Sequence, residues 1–175
     1  IPCIMTSDHH ENGTTRCLEA YELLGRNYDY IVNVQGDEAF ISDRILAPLK
    51  QLLEEKRPEA ATLKAPLPKY HSNSNVFVTT GAKDQALYFS RSPIPASRDD
   101  VPVRFQHVGV YAFTPQALKK YCELPPTPLE DMEKLEQLRW VEHGYDWIVA
   151  TAPEKPLSID TAADFERAKS FLKEL

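Results

Sequence analysis

Apolar and polar positions follow two different periods along this 175-residue chain, and the clearest break between them lies in YIVNVQGDEAF, residues 30–40. Ile31, Val32 and Val34 form a short β-branched run of the kind a central strand buries on both faces, and the run stops abruptly at Gln35-Gly36-Asp37-Glu38. Further strands are expected at 60–65, 76–80, 86–90, 107–113 and 147–152, with an apolar opening at 1–5 that reads as a strand already under way. Helical stripes are carried by Cys17, Leu18, Tyr21 and Leu24, by Ile45, Leu46, Leu49, Leu52 and Leu53, by Leu129, Met132, Leu135 and Leu138, and by Phe165, Ala168, Leu172 and Leu175. Gly25 and Gly144 are the expected stops of the first and third of these. Thr114-Pro115 and Thr127-Pro128 start helices, and capping boxes pair Thr127 with Glu130 and Thr161 with Asp164. Pro48 requires either a helix that begins near Ala47 or one that kinks there. Residues 81–84 have the length of a hairpin loop, so part of the sheet is antiparallel and the fold reads as mixed α/β.

Length and composition fit one domain over residues 1–175. The net charge of −6 and the scattered basic residues argue against a nucleic-acid or membrane partner, but leave room for a small metal-bridged anion. Cys3, Cys17 and Cys122 show no metal or disulfide spacing and read as reduced, buried thiols of a cytoplasmic protein. No stretch has the length of a membrane span, and no charged-then-apolar secretory leader is expected. The six glycines make neither a Walker loop nor a GxGxxG fingerprint.

The candidate chemistry starts at the acidic turn. Two carboxylates repel a phosphate by roughly 1 kcal/mol per charge pair at about 4 Å in water, so Asp37 and Glu38 suit a phosphate site only with Mg²⁺ between. Otherwise they are solvated acids on a glycine turn. Asp160, at the start of the last helix, is either a cap or a partner for Asp37. The polar loop TSDHHENGTTR could offer free N–H groups to an anion or a base edge, or simply cap its helix. Asp8, His9 and His10 lack the spacing of a zinc site. Arg91 at a strand exit can grip a carboxylate or make a surface ion pair. His107, Gly109, Tyr111 and Phe113 share one strand face, where the glycine leaves a hollow for a ligand or for close backbone packing. Glu136 and Gln137 flank the third helical stripe and read, by pattern, as solvated surface.

In order, and over nearly the whole chain, MTSDHHENGTTR, VNVQGDE, ALYFSR, HVGVYAF, PPTPLE, LEQLR, EHGY and IDTAADFERA resemble the CMP-Kdo synthetases, cytidylyltransferases that activate 3-deoxy-manno-octulosonate (Kdo). The resemblance implies a Rossmann-like nucleotidyltransferase fold with a mixed, mostly parallel sheet flanked by helices. It implies a homodimer of lipopolysaccharide biosynthesis that uses Mg²⁺, CTP and Kdo, with the sugar's anomeric hydroxyl attacking the α-phosphate and pyrophosphate leaving. Asp37 and Asp160 match the family's metal-binding carboxylates. Gln35, Arg91, His107, Tyr111, Glu136 and Gln137 match its Kdo pocket, Arg91 toward the sugar carboxylate. His10, Gly13, Thr14 and Arg16 match its nucleotide-side loop. The chain departs from the family at Thr15, Ala39 and Phe77, where an acid, a proline and a lysine are usual. The family's N-terminal strand and its Arg/Lys loop for the triphosphate are expected upstream of Ile1. A transferase for another acidic sugar, such as a sialic acid, and a non-catalytic sugar- or partner-binding remnant are the alternative readings.

Overall fold

The alternating segments assemble into one six-stranded sheet in the computed structural model, which describes residues 3–67, 75–96, 104–159 and 161–173. Along the chain the elements are α1 (Gly13–Leu24), β1 (Ile31–Val34), α2 (Asp43–Lys56), β2 (Ala60–Leu67), β3 (Phe77–Thr80), β4 (Ala86–Ser90), β5 (Arg104–Phe113), α3 (Pro115–Glu123), α4 (Pro128–Glu133), α5 (Gln137–Glu142), β6 (Ile148–Thr151) and α6 (Ala162–Phe171).

The sheet is mostly antiparallel, which corrects the mostly parallel arrangement implied by resemblance. Its order is β4-β3-β5-β2-β6, with β1 also on β5. Among the described residues only β2 and β6 pair in parallel, while β5 runs antiparallel to β1, β2 and β3, and β3 to β4. The crossover from β1 through α2 to β2 does return the chain in the same direction, because both strands oppose β5. The ten-residue β5 enters between them, so two strands that are parallel in space never bond to each other.

Side-chain alternation sorts the core onto two faces. Ala61, Leu63 and Ala65 of β2 join Val108, Val110 and Ala112 of β5 under Ile45, Leu49 and Leu52 of α2. The opposite face is aromatic, with Phe89, Tyr111, Phe113, Tyr121, Trp140 and Trp147 packed among Leu118, Leu135 and Leu138. Both indole N–H groups are satisfied, Trp140 by the carbonyl of Asp146 at 3.1 Å and Trp147 by that of Gln137 at 3.0 Å.

Several local expectations are revised. β1 is not buried on both faces: Val32 and Val34, on one of them, are 43% and 37% exposed. The apolar opening is not a strand over residues 3–7. α2 begins at Asp43, with Ser42 at the N-cap position, so Pro48 sits inside the helix. The third stripe is split into α4 and α5 by Lys134, whose φ of 54° turns the chain after one and a half turns and leaves Met132 exposed. In α6 only Ala168 is buried, Phe165 and Leu172 are exposed, and Leu175 lies outside the described residues. Cys3 is exposed, and Cys17 and Cys122 are half-buried free thiols.

Candidate active site

A β-bulge shapes the centre of the site. β2 and β5 stay in register up to Leu63 with Val108, and then Thr62 pairs with Tyr111, leaving Gly109 and Val110 as extra residues. The acidic turn that follows β1 docks on this bulge. Gln35 N donates to Gly109 O at 3.0 Å, and Gly109 N donates to Glu38 Oε1 at 3.0 Å. Glu38 is therefore a buried strut of the turn, whereas Asp37 is exposed at its tip.

The hollow at Gly109 is filled by the protein itself. A Cβ there would lie 3.2 Å from Gln35 Cγ and 3.3 Å from Glu38 Oε1. Gly109→Ala is expected to cost about 1–3 kcal/mol of stability by overpacking, and to shift the turn enough to lower kcat/KM by about 10²-fold. Thermal unfolding and steady-state kinetics measure the two effects separately.

Beside the turn opens a cavity of about 340 Å³, whose lining includes Asp37 and all six residues assigned by resemblance to the sugar pocket. The break at Lys134 is what turns Glu136 and Gln137 inward, against the surface role their spacing suggested; Gln137 is only 2% exposed. Their carbonyls are clamped, that of Glu136 by the Tyr121 hydroxyl at 3.0 Å and that of Gln137 by the Trp147 indole at 3.0 Å. A buried two-pronged pair from Arg139 Nε and Nη2 to Glu130, at 2.8 and 2.6 Å, locks α5 to α4.

The polar groups divide by role. Glu136 accepts from Gln35 Nε2 at 3.0 Å on one oxygen and from Thr14 Oγ1 at 3.1 Å on the other. Burial raises its pKa, and those two hydrogen bonds oppose the rise. Tyr111 donates to Gln137 Oε1 at 3.3 Å, which leaves the Gln137 amide N–H groups for a ligand. Arg91 is less free than a surface guanidinium, since Nε and Nη2 donate to the carbonyls of Glu133 and Lys134 at 2.7 and 3.3 Å. Lys134 and Lys155 also line the cavity, and their spacing in sequence carried no signal for this.

Burial lowers the pKa of His107 from its ordinary 6.5 to about 3. The unfolded chain binds a proton at this side chain below about pH 6.5 and the folded chain only near pH 3, so stability is lost as pH falls through that window. Loss proceeds at up to about 1.4 kcal/mol per pH unit. His107→Gln is expected to flatten that part of the urea-unfolding pH profile relative to wild type.

The nucleotide-side residues stand apart from this cavity lining. His10 bonds Glu19 and Thr15, and the Ser7 amide and hydroxyl also donate to Glu19, whose pKa falls to about 2 chiefly through His10. Arg16 donates to Thr6 Oγ1 at 2.6 Å and to Ser7 O at 2.9 Å, folding the loop back onto α1. Gly13 packs on Asn33 and Gln35, and Thr14, buried beside them, reaches Glu136. Asp160 lies outside the described residues; its neighbour Ile159 donates its amide to Asp37 O at 2.9 Å. Among the described residues no group of three or more His, Cys, Asp or Glu side chains could by itself hold a metal ion.

Sheet, turn and polar cavity together are those of a Rossmann-like nucleotidyltransferase. Residues 1–155 match the family described as cytidylyltransferase. The 3-deoxy-manno-octulosonate cytidylyltransferase of Phocaeicola vulgatus is 40% identical, over 98% of this chain and 73% of its own length. That of Parabacteroides distasonis is 39% identical over 97% of this chain and 73% of its own length. The solved structure of CMP:2-keto-3-deoxy-manno-octonic acid synthetase complexed with CTP superposes with a TM-score of 0.85 at 32% identity, covering 98% of this chain and 73% of that one. The chain belongs to the 3-deoxy-manno-octulosonate cytidylyltransferase family.

Proposed function

We propose that this protein transfers CMP from CTP to Kdo, releasing pyrophosphate, as a cytoplasmic step of lipopolysaccharide biosynthesis. The observation that carries this reading is the convergence of Gln35, Arg91, His107, Tyr111, Glu136 and Gln137, from four separate stretches of chain, on one cavity with Asp37 at its side. The sugar's anomeric hydroxyl attacks the α-phosphorus of CTP, and the bond to the bridging oxygen of the β-phosphate breaks. Arg91, Lys134 and Lys155 supply the positive charge that draws an anionic sugar into the cavity. Glu136 and His107 accept hydrogen bonds from the sugar hydroxyls, and Gln137 donates.

Mg²⁺ held by Asp37 and Asp160 would neutralise phosphate charge and lower the pKa of the attacking hydroxyl. An exposed carboxylate at the mouth of an anion-compatible cavity fits this ion, which is commonly held by one or two carboxylates and completed by phosphates and water. The assignment of Asp160 rests on its match to the family motif. A homodimer belongs to the same reading and is checked by sedimentation.

The decisive assay is pyrophosphate release from CTP and Kdo with Mg²⁺, on this chain and on a form extended to the length of its relatives. CMP-Kdo formation supports the reading; a preference for a sialic acid, or no product from either form, overturns it.

A further inference from the structure

Thr62, on β2, is fully buried against the cavity-lining His107, and its hydroxyl makes two short contacts. One runs to Val110 O, in the bulge, at 2.7 Å; the other runs to His107 Nε2 at 2.8 Å. A carbonyl can only accept, and a threonine hydroxyl has one proton. That proton goes to Val110, so the hydroxyl oxygen must accept from the ring, and Nε2 carries hydrogen. Burial keeps the imidazole neutral, which leaves Nδ1 as a lone pair. No hydrogen bond ties Nδ1 to any other group among the described residues, and the His107 ring lines the cavity. The ring plane is held by Phe89, edge-on with centroids 5.2 Å apart, and by Tyr111 at 5.3 Å.

We propose that Thr62 is a positioning residue that locks His107 in its Nε2–H tautomer, so that Nδ1 faces the cavity as an acceptor for a hydroxyl of the sugar acid. The assignment of the ligand rests on the function proposed above. The chemistry follows from the bulge: the displaced Val110 carbonyl takes the threonine proton, and this dictates which imidazole nitrogen is bare. A site built this way favours a hydroxyl donor at that point of the ligand and disfavours a second acceptor there.

Two-bond ¹H–¹⁵N spectra of the imidazole side chains test the proposal on the intact chain without substrate. The expected result at neutral pH is a protonated Nε2 and a bare Nδ1 for His107, with the Nδ1 resonance shifting when Kdo is added. Thr62→Val is expected to remove the tautomer bias and to weaken Kdo binding about tenfold, with CTP binding unchanged, while Thr62→Ser restores both. A proton on Nδ1 in the wild type, or a Thr62→Val protein that keeps both the tautomer and its Kdo affinity, overturns the proposal. Because the tautomer is read without turnover, a chain that makes no CMP-Kdo but retains the Thr62-dependent signature would defeat the functional reading and leave the role of Thr62 standing.

Discussion

Asp37→Asn is expected to lower kcat for CMP-Kdo formation by about 10³-fold or more, with little change in folding stability. The carboxylate is exposed at the tip of the turn, so losing its charge unpairs nothing in the core. The turn is held by backbone bonds, Gln35 N on Gly109 O, Glu38 N on Gln35 O and Ile159 N on Asp37 O, and by the Glu38 carboxylate on Gly109 N. An amide side chain leaves all of these intact. The loss should therefore appear in turnover at saturating Mg²⁺ and substrate, and a thermal melt should be nearly superimposable on wild type. A variant with wild-type kcat would remove Asp37 from the chemistry and return the acidic turn to a solvated surface feature.

Glu136→Gln is expected to raise KM for the sugar acid by about 10²-fold, nearly as far as Glu136→Ala, while KM for CTP changes little. The substitution is isosteric, yet both carboxylate oxygens already accept from donors, Gln35 Nε2 on one side and the Thr14 hydroxyl on the other. An amide must turn its NH₂ toward one of them, so either the Gln35 amide flips to present its oxygen or the Thr14 hydroxyl turns away to accept, and either change disturbs a buried network. Asn33 Nδ2 stands 3.4 Å behind the Thr14 hydroxyl and restricts how Thr14 can reorient. The split between the two KM values separates this effect from general loosening, and equal loss toward both substrates would argue that Glu136 is only a structural strut.

Much of the secondary structure is legible in the chain because its signals are local. Thr114-Pro115, Thr127-Pro128 with Glu130, and Thr161 with Asp164 start helices where they are expected, and Gly25 ends α1 in the left-handed conformation at φ 59°. The hairpin of β3 and β4 follows from the length of its loop. Face coverage is not a local property: the β-branched run of β1 reads as buried on both faces, yet nothing in it announces that Val32 and Val34 stand exposed on one of them. The direction of the sheet is not local either, since nothing in β5 announces that it will enter between β1 and β2.

The site divides along the same line. Sequence alone determined which residue types are available and in what order: an acidic turn after a β-branched strand, an arginine at a strand exit, a His-x-Gly-x-Tyr strand and a Glu-Gln pair. Those motifs were enough to indicate the family. Only the tertiary structure decided where each stands and what it touches. Lys134 breaks a continuous apolar stripe and rotates Glu136 and Gln137 out of a surface register into the cavity. The bulge at Gly109 and Val110 makes Glu38 a strut, leaves Asp37 exposed and sets Thr62 against His107. A register shift and a left-handed turn depend on contacts between residues far apart in the chain, and the free energy that selects them exists only once those contacts have formed.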